Sequence, residues 1–170
     1  MKNKVVIVTG ASSGIGKACA QVFCKQGARV MLAARSEEKL KELNDILNQS
    51  GGQSNYMVTD VASELDCKNM INKTIDIYGS IDVLINNAGI SMRALFNDLD
   101  LKAFEKVMKI NFYGTVYCSK YALPHILISK GSIVGVSSIA GHKGLPARTA
   151  YSASKFAMAG FLESLRIENL

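Results

Sequence analysis

No run of about 18 apolar residues occurs in the sequence, so no helix is expected to cross a bilayer. The opening Met1-Lys2-Asn3-Lys4 leads straight into an apolar strand, with no room for a secretory leader. A cytoplasmic setting is expected, and the sequons at Asn48 and Asn72 carry no expectation of glycosylation. The cysteines, Cys19, Cys24, Cys67 and Cys118, form no C-x-x-C, and His125 and His142 fit no zinc pattern. Reduced, mostly buried thiols and no metal site are therefore expected. No stripe of basic residues interleaved with aromatics is present, which argues against nucleic acid as a partner. The net charge of +6 is spread along the chain and suits a small polyanionic ligand. Lys39 and Lys41, set among Glu37, Glu38 and Glu42, read as a solvated helix face. Without repeats, linkers or low-complexity tracts, residues 1–170 read as one domain.

What is present centres on Lys4 to Val22. Val5, Val6, Ile7 and Val8 read as a short buried strand. Gly10, Gly14 and Gly16 follow in the spacing G-x-x-x-G-x-G. Ile15, Ala18, Cys19, Val22 and Phe23 recur at helical intervals and predict the inward face of a helix. Strand, glycine turn and helix together make a phosphate site, because glycine admits an anion to the backbone and free amides favour negative charge.

Along the chain, the first helix should stop at Gly27. A second strand is expected over 28–34 and a polar helix from about Ser36 with Leu40, Leu43 and Leu47 inward. Gly51-Gly52 ends that helix, and a third strand over 54–59 closes on Asp60. Ser63 to Asp66 resembles a capping box opening a helix that turns Cys67, Ile71, Ile75 and Tyr78 inward. A fourth strand over 81–85 runs into Asn86-Asn87-Ala88-Gly89. One long helix is expected from about Asp100 to Ser129, a fifth strand over 131–136, a loop over 137–149, and a last helix from Tyr151 onward. The alternation predicts an α/β fold, a doubly wound, Rossmann-like parallel sheet with right-handed crossovers. A ligand belongs beyond the carboxyl ends of the strands, where strand order reverses.

Candidate chemistry falls at those ends. Arg35 stands where a ribose-binding carboxylate would serve an unphosphorylated dinucleotide, and an arginine there suits a 2′-phosphate. Tyr151 and Lys155 share a helix face, and an ammonium beside a phenol favours the phenolate. Such a phenol can exchange a proton with a carbonyl or alcohol. Ser138, at the end of strand five, could hold a substrate oxygen. Asn111 falls on the inward face marked by Phe104, Val107, Met108, Phe112 and Thr115, where an amide needs partners.

Taken together, these segments resemble the short-chain dehydrogenase/reductase family from about Lys4 to the end. Thr9 to Gly16 (T-G-A-S-S-G-I-G) resembles its cofactor turn, Asp60-Val61 its adenine-contacting pair, and Asn86 to Gly89 its N-N-A-G segment. Asn111, Ser138, Tyr151 and Lys155 fall at the family's tetrad positions. The resemblance implies a sheet in order 3-2-1-4-5 and hydride transfer between NADP(H) and a carbonyl or secondary alcohol. Gly10, Ser12, Ser13, Gly14, Ile15, Gly16, Arg35, Asp60, Val61, Asn87, Ala88 and Gly89 would hold the cofactor, with Tyr151 and Lys155. Tyr151 would be the acid in reduction, Lys155 would tune it, Ser138 would polarise the substrate oxygen and Asn111 would hold a relay water. A homodimer or homotetramer through the helices of 100–129 and 150–170 is also implied. Ile110, Tyr113, Tyr117 and Tyr121 would form an outward row there, joined by Phe156, Phe161 and Leu165. Family members carry two further strands and a closing segment that this sequence lacks, leaving strand five as an edge. A catalytically silent dinucleotide-binding fragment or interaction module is the second function class; the complete tetrad favours the enzyme.

Overall fold

Val5, Val6, Ile7 and Val8 are fully buried; Val6 and Val8 pack into one core and Ile7 into the other. They form β1 (Val5–Thr9), the middle of a five-stranded parallel sheet. β2 (Arg29–Ala34) pairs on one side of it, with β3 (Gln53–Val58) beyond; β4 (Val83–Asn86) and β5 (Ser132–Gly135) lie on the other side. The order β3-β2-β1-β4-β5 is the one the sequence implies, and it reverses between β1 and β4. The computed structural model describes residues 1–169; residue 170, placed by the sequence in the last helix, lies outside the described residues.

α1 (Gly14–Lys25) and α2 (Glu37–Gln49) cover one face; α3 (Glu64–Tyr78) and α5 (Gly114–Ser129) cover the other. α4 (Leu101–Met108) precedes α5, and α6 (Thr149–Glu168) packs along α4 and over β5. Leu40, Leu43 and Leu47 are buried as their spacing predicts. Ser63 caps α3 by accepting from Asp66 N–H at 3.2 Å. The returning arm of that box differs from a standard one: the Asp66 carboxylate accepts from Asp60 N–H instead, at 3.1 Å.

Three expectations need correction. The inward face of α1 is Gly16, Ala20 and Cys24, with the predicted Cys19 and Phe23 packed partly beside it, whereas Ile15, Ala18 and Val22 are exposed. The helix lies so near the turn that only small residues fit: a Cβ on Gly16 would sit 2.3 Å from Gly10 O. The long helix of 100–129 is interrupted by a π turn over Lys109–Tyr113. That turn divides the expected outward row. Ile110 is buried in the core, Tyr117 and Tyr121 pack partly against it, and Tyr121 Oη–H donates to Glu64 at 2.6 Å. β4 is shifted to Val83–Asn86, with Ile81 and Asp82 buried ahead of it, and β5 covers Ser132–Gly135 of the expected 131–136.

Candidate active site

The carboxyl ends of β1, β2, β3 and β4 each deliver residues to one cleft of about 410 Å³. From β1 come Gly10, Ser12, Ser13, Gly14 and Ile15; from β2, Arg35 and Ser36; from β3, Asp60 and Val61; from β4, Asn87, Ala88 and Gly89. Gly10 bends the chain at φ 67°, and a Cβ there would meet Asn87 Nδ2 at 2.8 Å. The first turn of α1 lines the cleft and Ser13 makes no side-chain cap bond, so amide donors remain for an anion. Gly16 supports this turn from behind and does not line the cleft. Arg35 is exposed at the rim and forms no salt bridge among the described residues. These residues fit a dinucleotide: an uncapped helix end for its diphosphate, a free guanidinium at the rim, and Asp60 with Val61 on the wall between.

Thr9 closes the floor. Its hydroxyl oxygen accepts from Asn87 N–H at 3.0 Å and Ala88 N–H at 3.1 Å, and its proton goes to Ile85 O at 3.2 Å. Asn87 Nδ2 donates back to Thr9 O at 2.9 Å. This latch joins β1 to β4 at the point where strand order reverses. The sequence reading passed over Thr9 as a site residue; a hydroxyl closing an otherwise apolar buried strand was the available signal.

The remaining predicted residues gather towards β5. Asn111 is fully buried in the π turn. Its Oδ1 accepts from Ile90 N–H at 2.8 Å, and its Nδ2 donates to Ile90 O at 2.9 Å and Ser154 Oγ at 3.0 Å. Ser154 Oγ–H in turn donates to Tyr151 O at 2.7 Å. Asn111 is thus wired to the tyrosine's own helical turn through Ser154, a link the sequence reading missed although a serine lies three residues past Tyr151. π turns often mark functional positions, since the extra residue releases backbone groups from the regular ladder.

Tyr151 is half-buried on the first turn of α6, and Lys155 is buried one turn later. Lys155 Nζ lies 5.9 Å from the Tyr151 ring centroid and donates to Val136 O at 2.7 Å. Burial pushes the Lys155 ammonium below the ordinary lysine value. Ser138 opens a short 3₁₀ turn, its oxygen accepting from Ala140 N–H at 3.2 Å, which leaves the hydroxyl proton free to donate. None of Ser138, Tyr151 and Lys155 lines the cleft itself. Among the described residues no cluster of metal-ligating side chains occurs, and no helix is long and apolar enough to cross a membrane.

Residues 4–169 match the family model described as short chain dehydrogenase. The chain belongs to the short-chain dehydrogenase family. It is 41% identical over 170 residues to an 11-beta-hydroxysteroid dehydrogenase of Pinus massoniana, covering 99% of this chain and 48% of that protein. It is 42% identical over 173 residues to dehydrogenase/reductase SDR family member 7B of Mus musculus, covering 99% of this chain and 54% of that protein. The chain spans about half the length of the curated relatives it matches. An alcohol dehydrogenase from the archaeon Thermococcus sibiricus, solved in complex with 5-hydroxy-NADP, superposes with a TM-score of 0.96 at 27% identity. That match covers 98% of this chain and 71% of the archaeal one.

Proposed function

We propose that this short-chain dehydrogenase acts as an oxidoreductase, passing hydride between NADP(H) and a carbonyl or secondary alcohol. The observation that carries the proposal is the Tyr151–Lys155 pair, a phenol and a buried ammonium on successive helical turns. When bound, the nicotinamide supplies or accepts the hydride. Tyr151 gives its phenolic proton to the carbonyl oxygen in reduction and takes it back in oxidation. Lys155, held by Val136 O, has further donors for the cofactor ribose and the phenol. Ser138 turns its free hydroxyl proton to the substrate oxygen, because Ala140 N–H already occupies its own oxygen. The Asn111 amide is committed to Ile90 and Ser154, so it fixes the site's loop and helix; a relay water would have to share its backbone carbonyl with Thr115 Oγ1, which donates there at 3.0 Å.

Two observations support NADP(H). Arg35 is exposed, sits at the cleft's rim without an acidic partner, and stands where a ribose-binding carboxylate would be needed for NAD. The archaeal neighbour, itself holding 5-hydroxy-NADP, agrees with this. An apolar ketone or alcohol suits the half-buried Met92 and Leu145 on the two loops beyond β4 and β5. Two copies would associate through the π turn, α5 and α6, where Tyr113 and Phe156 remain 45% and 46% exposed.

The test uses the full-length protein with NADPH or NADH and cyclohexanone, benzaldehyde and a ketosteroid, following loss of reduced-nicotinamide absorbance. Turnover favouring NADPH is expected. Arg35→Asp should reverse that preference, lowering relative NADPH affinity about tenfold or more. No turnover with any of these carbonyls, or an unmoved preference in Arg35→Asp, contradicts the proposal.

A further inference from the structure

The loops leaving β4 and β5 are neighbours at the carboxyl edge of the sheet, and two bonds tie them together. Ala94 N–H donates to Ala147 O at 3.1 Å, and Arg148 Nη1 donates to Ser91 Oγ. Both ties lie at the start of α6. Arg148 C=O accepts from Ser152 N–H at 2.7 Å, so Arg148 stands at the helix entrance, three residues before Tyr151. Ala147 holds φ at 58°, a left-handed conformation that a residue with a Cβ adopts only under constraint. Ser91 directly follows Ile90, the residue whose amide and carbonyl Asn111 both hold. One loop is therefore fastened at Ile90 by the π turn, and at Ser91 and Ala94 by the entrance of the tyrosine helix.

We propose that Arg148 is a positioning residue that holds the Ile90–Leu95 loop closed over the substrate end through Ser91. The inference rests on the reading of Tyr151 as the residue facing substrate. A guanidinium suits this task because it gives a charge-assisted bond to a hydroxyl while its other donors and its stem stay fixed by geometry. Arg148 forms no salt bridge among the described residues, so no carboxylate competes with Ser91 for it. Releasing the tie opens the loop part of the time. Apparent substrate affinity then falls by the fraction of molecules left closed, while the chemical step in closed molecules is unchanged.

The experiment compares the full-length wild type with Arg148→Gln, Ser91→Ala, the double variant and Arg148→Lys. Amide hydrogen exchange over residues 90–95 is measured first, then KM and kcat for the ketone turned over best, and NADPH affinity by fluorescence titration. Each single variant should speed exchange in 90–95 about tenfold and raise KM several-fold. Little change in kcat or NADPH affinity should accompany this. The double variant should match the singles, because both remove one bond, and Arg148→Lys should recover part of the loss. Unchanged exchange, additive effects, or a silent Ser91→Ala beside an impaired Arg148→Gln would overturn the proposal, the last by placing Arg148 on the substrate itself. The exchange measurement needs no turnover. An inactive wild type whose loop still loosens in both variants would refute the proposed function and leave the tie standing.

Discussion

Lys155 is buried among a helix and a strand end with one strong acceptor, and its charge is disfavoured there. Its pKa in the folded chain lies below that of the unfolded chain, so across that interval the unfolded chain binds more protons. Stability from this residue therefore rises with pH. Wild type should gain on Lys155→Met as pH is raised from neutrality towards about 10, read as the difference in urea midpoints. A difference that stays constant or shrinks would show that the ammonium is well solvated. The Asp82 contribution also rises with pH, but over the acidic range and from favourable contacts. Burial raises its pKa, but bonds from Lys4 Nζ at 2.7 Å and Val5 N–H at 2.9 Å, with the charges of Lys4 and Arg29, outweigh it and leave the carboxyl below its usual range. That contribution is present above the usual aspartate range and lost as pH falls through the folded value. Asp82→Asn should cost about 1–2 kcal/mol at neutral pH, kept small because Lys4 is half exposed, and the gap should narrow as pH falls below the usual aspartate range. Denaturant titrations at several pH values check it. Of the proposed site residues, Asn111 stood out as an amide on an apolar helix face, whereas Tyr151 and Lys155 were marked by their four-residue spacing and by the family resemblance. Ser154 could not, since a serine in a helix is ordinary until its partners are known, and Thr9 offered only the weak signal of a hydroxyl ending an apolar strand.

At the scale of elements, legibility followed side-chain size. α2 and α3 bury Leu40, Leu43, Leu47, Cys67 and Ile71, whose spacing announces the buried face. α1 buries Gly16, Ala20 and Cys24, and the larger Ile15 and Val22 misdirect the reading because close approach excludes them. The π turn was equally hidden. K-I-N-F-Y is compatible with an ordinary helix, and the inserted residue answers to a distant demand, the Ile90 backbone that Asn111 must reach. One extra residue rotates everything after it by about 100°, which is why Ile110 and Tyr113 part company. The close approach of α1 gives a direct prediction. Gly16→Ala would force a Cβ against Gly10 O, a backbone atom that cannot swing aside. Loss of about 1–3 kcal/mol in stability and a marked fall in NADPH affinity are expected, by thermal melting and fluorescence titration. A variant with wild-type melting and binding would mean that the turn has slack.

For the whole molecule, the parallel, doubly wound class was readable because apolar runs and amphipathic helices alternate regularly; the strand order came from the family resemblance. Strand ends were less readable, since Ile81 and Asp82 are buried like strand residues yet lie outside β4. Sedimentation of the full-length protein should give a dimer or tetramer, and Phe156→Glu should shift it towards monomer; a wild-type monomer at micromolar concentration would remove α5 and α6 as an interface. The account as a whole depends on a division of labour between a cleft that binds and a phenol that moves the proton. Tyr151→Phe tests that division most directly, by NADPH titration and ketone turnover on the same full-length preparation. Binding within about twofold of wild type, with turnover reduced about 10²-fold or more, is the predicted result. Undiminished turnover, or binding lost together with activity, would contradict it.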